Sequence, residues 1–251
     1  MARVIIIIAS VTVLLAPVVE AQTHIIAVDS SRNLYEIDPA TGVKTQFGTV
    51  SSNAGTCAEL AIGPSNTVYV SSTGNDSLYT VDLGTGTATL VGAYGDSAIV
   101  MHGLEYVPAT NTLYGVSSHN NGLYEINQST GVATLIGTST LSSFSNLGWN
   151  STTGIMYLTN SGADSLYTIN LATGATTLVG ALNTSTNPNG VTYDPDTGTL
   201  YMADNSTDNF YSIDMATGNA SVIGSMGSGN ILGLAWIDGP IPVELQSLTV
   251  D

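Results

Sequence analysis

The chain has 251 residues, 43% of them hydrophobic, and sets 19 Asp and Glu against three Lys and Arg for a formal net charge of −16. That imbalance excludes a surface built for nucleic acid or anionic membrane, since both are held chiefly through Lys and Arg. Apolar residues are too plentiful, and charged ones at 9% too few, for a disordered chain.

Residues 1–21 are the first element. "MAR" carries one positive charge, the apolar run "VIIIIASVTVLLAPVV" follows, and "VEA" precedes Gln22. This is the pattern of a secretory signal peptide cut after Ala21. The run falls short of the ~20 residues of a spanning helix and is broken by Pro17, and no later stretch is apolar for long enough, so no membrane span is expected after cleavage. The remaining chain is long enough to bury about 70% of its unfolded surface. It keeps two basic side chains, Arg32 and Lys44, and one cysteine, Cys57. A lone cysteine makes no internal disulfide, so packing must hold the fold, and a buried, inert thiol is expected.

From His24 onward one segment recurs: "LYEIDPATGVKTQFG" (34–48), "LYTVDLGTGTATLVG" (78–92), "LYEINQSTGVATLIG" (123–137), "LYTINLATGATTLVG" (166–180) and "FYSIDMATGNASVIG" (210–224). Its tyrosines, Tyr35, Tyr79, Tyr124, Tyr167 and Tyr211, stand 43–45 residues apart, and two glycines per copy keep the same step. A period of 40–45 residues built from strands marks propeller blades. Each unit reads as four short strands, in the third copy "GLEYVPA" (103–109), "TLYGVSS" (112–118), "GLYEINQ" (122–128) and "VATLIGT" (132–138). The third and fourth strands are joined by turns ending in Gly42, Gly86, Gly131, Gly174 and Gly218, where a residue of positive φ is needed. Asp38, Asp82, Asn127, Asn170 and Asp214 open those turns with a short side-chain oxygen for turn amides, which gives these acids a structural task.

The first copy lacks the leading strand that the others show as "AELAI", "GLEYV", "NLGWN" and "NGVTY"; the missing piece stands at the far end as "LGLAWID" (232–238). The expectation is an all-β, five-bladed propeller over 22–238, four antiparallel strands per blade, the first blade closed by the C-terminal strand, with a tail over 239–251. An open solenoid would leave unpaired strand edges at both ends.

These repeats resemble the secreted bacterial propellers of the YVTN and NHL repeat group, and the tail "GPIPVELQSLTVD" is similar to the junction preceding C-terminal sorting domains of type IX-secreted proteins. The resemblance implies the fold. For function it implies a range, ring-opening enzymes, ligand binders and interaction scaffolds together.

The loops that enter the first strands and those that join second to third strands are short and polar. Candidates on that face are Asp96, His102, His119, Asn146 and Asn189. For hydrolysis, Glu59 and Glu105 could serve as acid and base at a suitable separation. The other repeats put Asn146, Gly190 and Gly233 in place of Glu59, and Gly148, Thr192 and Ala235 in place of Glu105, which favours substitutions of packing over a catalytic pair. His24, His102 and His119 lie in different repeats without zinc spacing, and "YDPDTG" (193–198) and "NSTDN" (205–209) read as turns before they read as calcium loops. No nucleophile motif, P-loop or dinucleotide fingerprint is present, so neither metal nor cofactor is expected. Tyr106, Trp149, Tyr193 and Trp236 recur on the inner strand and read as packing between blades before sugar platforms. The leading expectation is a secreted monomeric binding module for an extracellular protein or glycan. The alternative is a hydrolase or lactonase-like enzyme using the axial acids.

Overall fold

The computed structural model describes residues 24–183, 187–239 and 241. The expected leader, 1–21, and the tail beyond Ile241 lie outside the described residues. Five four-stranded antiparallel sheets make up the molecule. Blade 1 holds β1 (His24–Asp29), β2 (Asn33–Ile37) and β3 (Lys44–Thr49); blade 2 holds β4 (Cys57–Ile62), β5 (Val68–Ser72), β6 (Ser77–Val81) and β7 (Ala88–Ala93). Blade 3 holds β8 (Met101–Val107), β9 (Thr112–Ser117), β10 (Gly122–Ile126) and β11 (Ala133–Thr138). Blade 4 holds β12 (Phe144–Asn150), β13 (Ile155–Asn160), β14 (Ser165–Ile169) and β15 (Thr176–Ala181). Blade 5 holds β16 (Pro188–Asp194), β17 (Thr199–Asp204), β18 (Asn209–Ile213) and β19 (Ala220–Ser225), and β20 (Ile231–Ile237) returns to blade 1. The expected strands of the third unit thus hold to within a residue or two. Two single 3₁₀ turns, Ser52–Ala54 and Pro64–Asn66, are additions that the repeat pattern does not carry.

Closure follows the sequence expectation. β20 pairs antiparallel with β1, Ala27 opposite Leu234 and Ile25 opposite Trp236, so the first blade is built from both ends of the ring. β4, β8, β12, β16 and β20 pack against one another in sequence around the axis.

A two-faced sheet cannot bury its apolar residues alone, and the core is accordingly five clusters between blades. Ile26 and Leu34 of blade 1 meet Leu60 and Val70 of blade 2, and Val116 and Leu123 of blade 3 meet Leu147 and Leu158 of blade 4. Each outer strand enriches its cluster through a β-bulge. The register slips between Leu34 and Tyr35, Leu78 and Tyr79, Leu123 and Tyr124, Leu166 and Tyr167, and Phe210 and Tyr211. The residue left unpaired, Phe47, Val91, Ile136, Val179 or Ile223, turns onto the core.

The two phased glycines of the repeat meet each other across the blade boundary. A Cβ on Gly180 of blade 4 would stand 1.9 Å from the Thr217 carbonyl oxygen in the blade 5 turn, and one on Gly218 would stand 2.6 Å from the Gly180 oxygen. Backbone touches backbone there, so neither position has room for a side chain. Gly92 with Gly131, Gly137 with Gly174, and Gly224 with Gly42 repeat the contact. The turn glycine also has the positive φ foreseen for it, 71° at Gly174.

Candidate functional site

The five axial strands are edge strands, and an edge exposes amides that need partners. Side chains of the same strands supply them. In β4, Glu59 Oε1 accepts the Leu60 amide at 2.9 Å and the Leu234 amide of β20 at 2.8 Å. In β8, Glu105 Oε1 accepts the Tyr106 amide at 2.9 Å, and its Oε2 accepts the Trp149 amide of β12 at 3.1 Å. Thr192 Oγ1 in β16 accepts the Trp236 amide at 2.8 Å. Asn146 accepts the Leu147 amide at 2.9 Å and donates through Nδ2 to the Leu232 carbonyl of β20 at 3.0 Å, two blades away across the axis. These side chains pin axial strands together and fill the hub.

Both glutamates pay for that position in solvation. Burial pushes the Glu59 carboxyl well above the carboxylate range against the pull of its two amides, and the neighbouring Glu105 adds to the rise. Burial likewise pushes Glu105 up to about 8, against the Trp149 and Tyr106 amides. Glu59 is fully enclosed and its Oε2 has no partner; Gly233 faces it because any Cβ there would lie 2.7 Å from Oε1.

The hub divides the axis into two unequal ends. On the face favoured by sequence, a bulge in each axial strand turns one residue toward the axis: Ala58, His102, Ser145, Asn189 and Leu232. They enclose about 30 Å³, room for little more than water. Of the candidates placed on this face, His102 and Asn189 line that small space, and Asn189 donates to the Asn187 carbonyl. Asn146 is buried in the hub. Asp96 caps its own loop by accepting the Ala98 amide, and His119 is exposed on its turn. The sequence candidates therefore do not converge on one site.

The larger space lies at the opposite end, where the turns between first and second strands open. It is a cup of about 220 Å³. Its wall is one position of the repeat, Ile62, Tyr106, Trp149, Tyr193 and Trp236; Leu60, Leu234, Glu105 and Thr192 lie deeper, and Pro108, Ser151, Pro195 and Asp238 stand at the rim. Two of the rings are tethered by their hydroxyls, Tyr106 donating to Asn111 Oδ1 at 2.7 Å and Tyr193 sharing a 3.0 Å bond with Thr152 Oγ1. The Trp236 indole N–H is buried and has no acceptor. The recurrent aromatics thus do two things: Tyr106 and Tyr193 belong to clusters between blades, and all four rings line the cup. Their phase in the repeat was the one signal for this site. Shallower depressions, such as one of about 520 Å³ on blade 4 between Gly154 and Thr177, lie open on the surface.

No group of three or more His, Cys, Asp or Glu side chains placed to hold a metal occurs among the described residues. In the two stretches weighed for calcium, Asp194 accepts from the Asp196 amide and the Thr197 hydroxyl, and Asp204 from the Asn187, Ser206 and Thr207 amides, so both carboxylates serve turns. Cys57 is buried, and its thiol is pushed up to about 11 chiefly by loss of solvent.

Solved structures share the YVTN- and NHL-like propeller architecture. A chain of the nidogen/laminin complex is 13% identical with a TM-score of 0.61, the match covering 86% of this chain and 98% of that one. A protein of unknown function from Bacteroides thetaiotaomicron is 19% identical, TM-score 0.59, covering 90% and 62%. Virginiamycin B lyase from Staphylococcus aureus is 14% identical, TM-score 0.52, covering 78% and 68%. At such identities the likeness is one of fold, and it spans a complex of binding partners and an enzyme alike. No curated protein matches the sequence. A family model described as a repeat of unknown function (DUF6923) matches twice, over residues 18–144 and 95–240, and the chain belongs to that family.

Proposed function

We propose that the protein acts outside the cytoplasm as a binding module, with the aromatic cup at the turn end of the axis as its ligand site. The observation that carries this is the employment of the acids. Glu59 is sealed in the hub, and both oxygens of Glu105 already hold backbone amides, so the pair is spent on joining strands. The cup itself is a ready-made, mostly apolar concavity with few polar groups, which is how small binding sites are built. Export is supported by the leader-like residues 1–21.

The enzyme alternative keeps one observation in its favour. Glu105 borders the cup as an acid raised to about 8, the kind of group that donates a proton in glycoside cleavage. Its counterpart among the residues lining the cup is only Asp238 at the rim.

The test is retention of glycans and extracellular proteins on the immobilised chain, run beside Ser151→Tyr, which blocks the mouth from an exposed position. A ligand that the natural chain holds unaltered and the blocked variant releases supports a binding cup. Equal retention by both removes the cup from consideration. Steady product formation that disappears in Glu105→Gln establishes the enzyme instead.

A further inference from the structure

Resting on the binding reading above, we infer that the occupant of the cup is a small quaternary ammonium ion. Size comes first. At about 220 Å³ the cup is smaller than the ~300–1,000 Å³ of sites for drug-sized molecules, so it holds one compact group, touched by the wall on several sides. Hydrogen bonding narrows the choice. Apart from the rim residues, each side-chain oxygen of the lining is already engaged: Tyr106 with Asn111, Tyr193 with Thr152, and Thr192 on the Trp236 amide. Both Glu105 oxygens hold the Tyr106 and Trp149 amides. The Trp236 N–H is buried and presents nothing to the cup. A sugar or a primary ammonium brings O–H or N–H donors that lose water on entry and find no free side-chain acceptor at depth. A cation ringed by methyl groups has no donor to satisfy.

Charge decides between that cation and a neutral apolar group of the same shape. Tyr106, Trp149, Tyr193 and Trp236 line the cup, and a cation within ~6 Å of a ring face is drawn to its electrons, most strongly when desolvated. Asp238 stands exposed at the rim, and no Lys, Arg or His is among the lining residues. Outside residues 1–21 the two basic side chains, Arg32 and Lys44, hold the Val50 and Ser228 carbonyls, and the chain carries a net charge of −16. Such a field gathers cations at a concave mouth and turns anions away. Asp238 at the entrance also opposes a phosphate or carboxylate attached beside the ammonium, which leaves a cation on a neutral stem, as in choline. Pro108 and Pro195 at the rim bring no amide N–H to an arriving main chain, which favours a free small molecule over a methylated lysine of a protein.

The protein carries its own reporter, since Trp149 and Trp236 are its two tryptophans and both line the cup. The full chain is titrated at constant ionic strength while tryptophan emission is followed. The probes are tetramethylammonium, choline, the uncharged alcohol in which a tert-butyl group replaces the trimethylammonium of choline, phosphocholine, a methyl glucoside and an acetylated trimethyl-lysine peptide. The expected result is a saturable change with tetramethylammonium and choline, and binding about tenfold weaker or less for the uncharged alcohol and phosphocholine. Trp149→Leu keeps the wall apolar and removes a ring, so it should weaken choline about tenfold and leave the alcohol unchanged. Asp238→Asn, at the exposed rim, should weaken choline about two- to fivefold and serves should the tryptophan variant fail to fold. Equal saturation by choline and the uncharged alcohol overturns the assignment. So does saturation by the glucoside or the peptide with choline ineffective, and so does silence across the panel. In each case the binding reading stands if a protein or glycan retained by the immobilised chain perturbs the emission. It falls if retained ligands leave both tryptophans unchanged.

Discussion

Glu105 in blade 3 accepts the main-chain amide of Trp149 in blade 4 across 3.1 Å, so one side chain both floors the cup and ties two axial strands. Removing it leaves a buried amide unmet. Glu105→Ala is expected to lower unfolding free energy by about 1–3 kcal/mol, and Glu105→Gln by less, since one amide keeps a carbonyl acceptor. Urea denaturation of the two variants measures the difference; an alanine variant as stable as the natural chain contradicts the tie.

The same group predicts a pH slope. Below its ordinary value of 4.5 the carboxyl is protonated both folded and unfolded, and its stabilising share is fully present. Between 4.5 and about 8 the folded chain retains a proton that the unfolded chain releases, so that share is lost as pH rises through the window. Glu59 acts in the same direction. Melting temperatures should therefore fall from pH 5 to pH 8, and Glu105→Gln should flatten the fall while Glu59 preserves part of it. Identical slopes in both chains would speak against a buried, neutral Glu105.

Gly180 and Gly48 occupy equivalent places in the repeat but not in space. A Cβ at Gly180 meets the Thr217 oxygen at 1.9 Å, whereas one at Gly48 finds its nearest neighbour, Leu34 Cδ1, at 3.7 Å. Gly180→Ala should cost about 1–3 kcal/mol or more by forcing two blades apart, and Gly48→Ala under about 1 kcal/mol. Thermal melts of the pair settle it.

Loss of β20 removes the axial strand of blade 1 and bares the edge of β1. A chain ending at Asn230 should bind a hydrophobic dye and unfold over a broader urea range than the full chain, its cooperativity reduced. A transition as sharp as the natural one would show that the ring does not depend on this closure.

Cys57 is the chain's single cysteine and is buried. A thiol reagent should label it only as fast as the molecule opens, with a rate that rises with urea as the unfolding rate does. Rapid labelling in buffer would mean local opening of blade 2.

The repeat made the architecture legible because its signals are local. A turn glycine, an Asp or Asn opening the turn and a tyrosine in phase each report a backbone conformation within a few residues, and the displaced "LGLAWID" reported the closure. The bulges were not legible. They break the alternation of strand faces at His102 and Asn189 with no residue type to announce it, so the sequence could not tell which side chains reach the axis. The candidates placed on the face of the entry loops, such as His102 and Asn189, stand at the opposite end of the axis from the cup. Glu105 stood out against Gly148, Thr192 and Ala235, yet its service to a neighbouring strand depends on a distance between blades that no single repeat encodes. Trp236 was seen as a member of a recurrent set; the unmet donor that distinguishes it is a property of the assembled ring.

Gly233 lies against Glu59 because the centre has space for one large group there and not for two. A gene that grows by copying one unit arrives at five equal spokes, but an axle bored by five glutamates could not be assembled, and one bored by five glycines would be hollow. Divergence at this position lets one glutamate and one asparagine, Glu59 and Asn146, fill a centre to which Gly103, Gly190 and Gly233 give way. Engineers who standardise the blades to a single consensus should leave it varied.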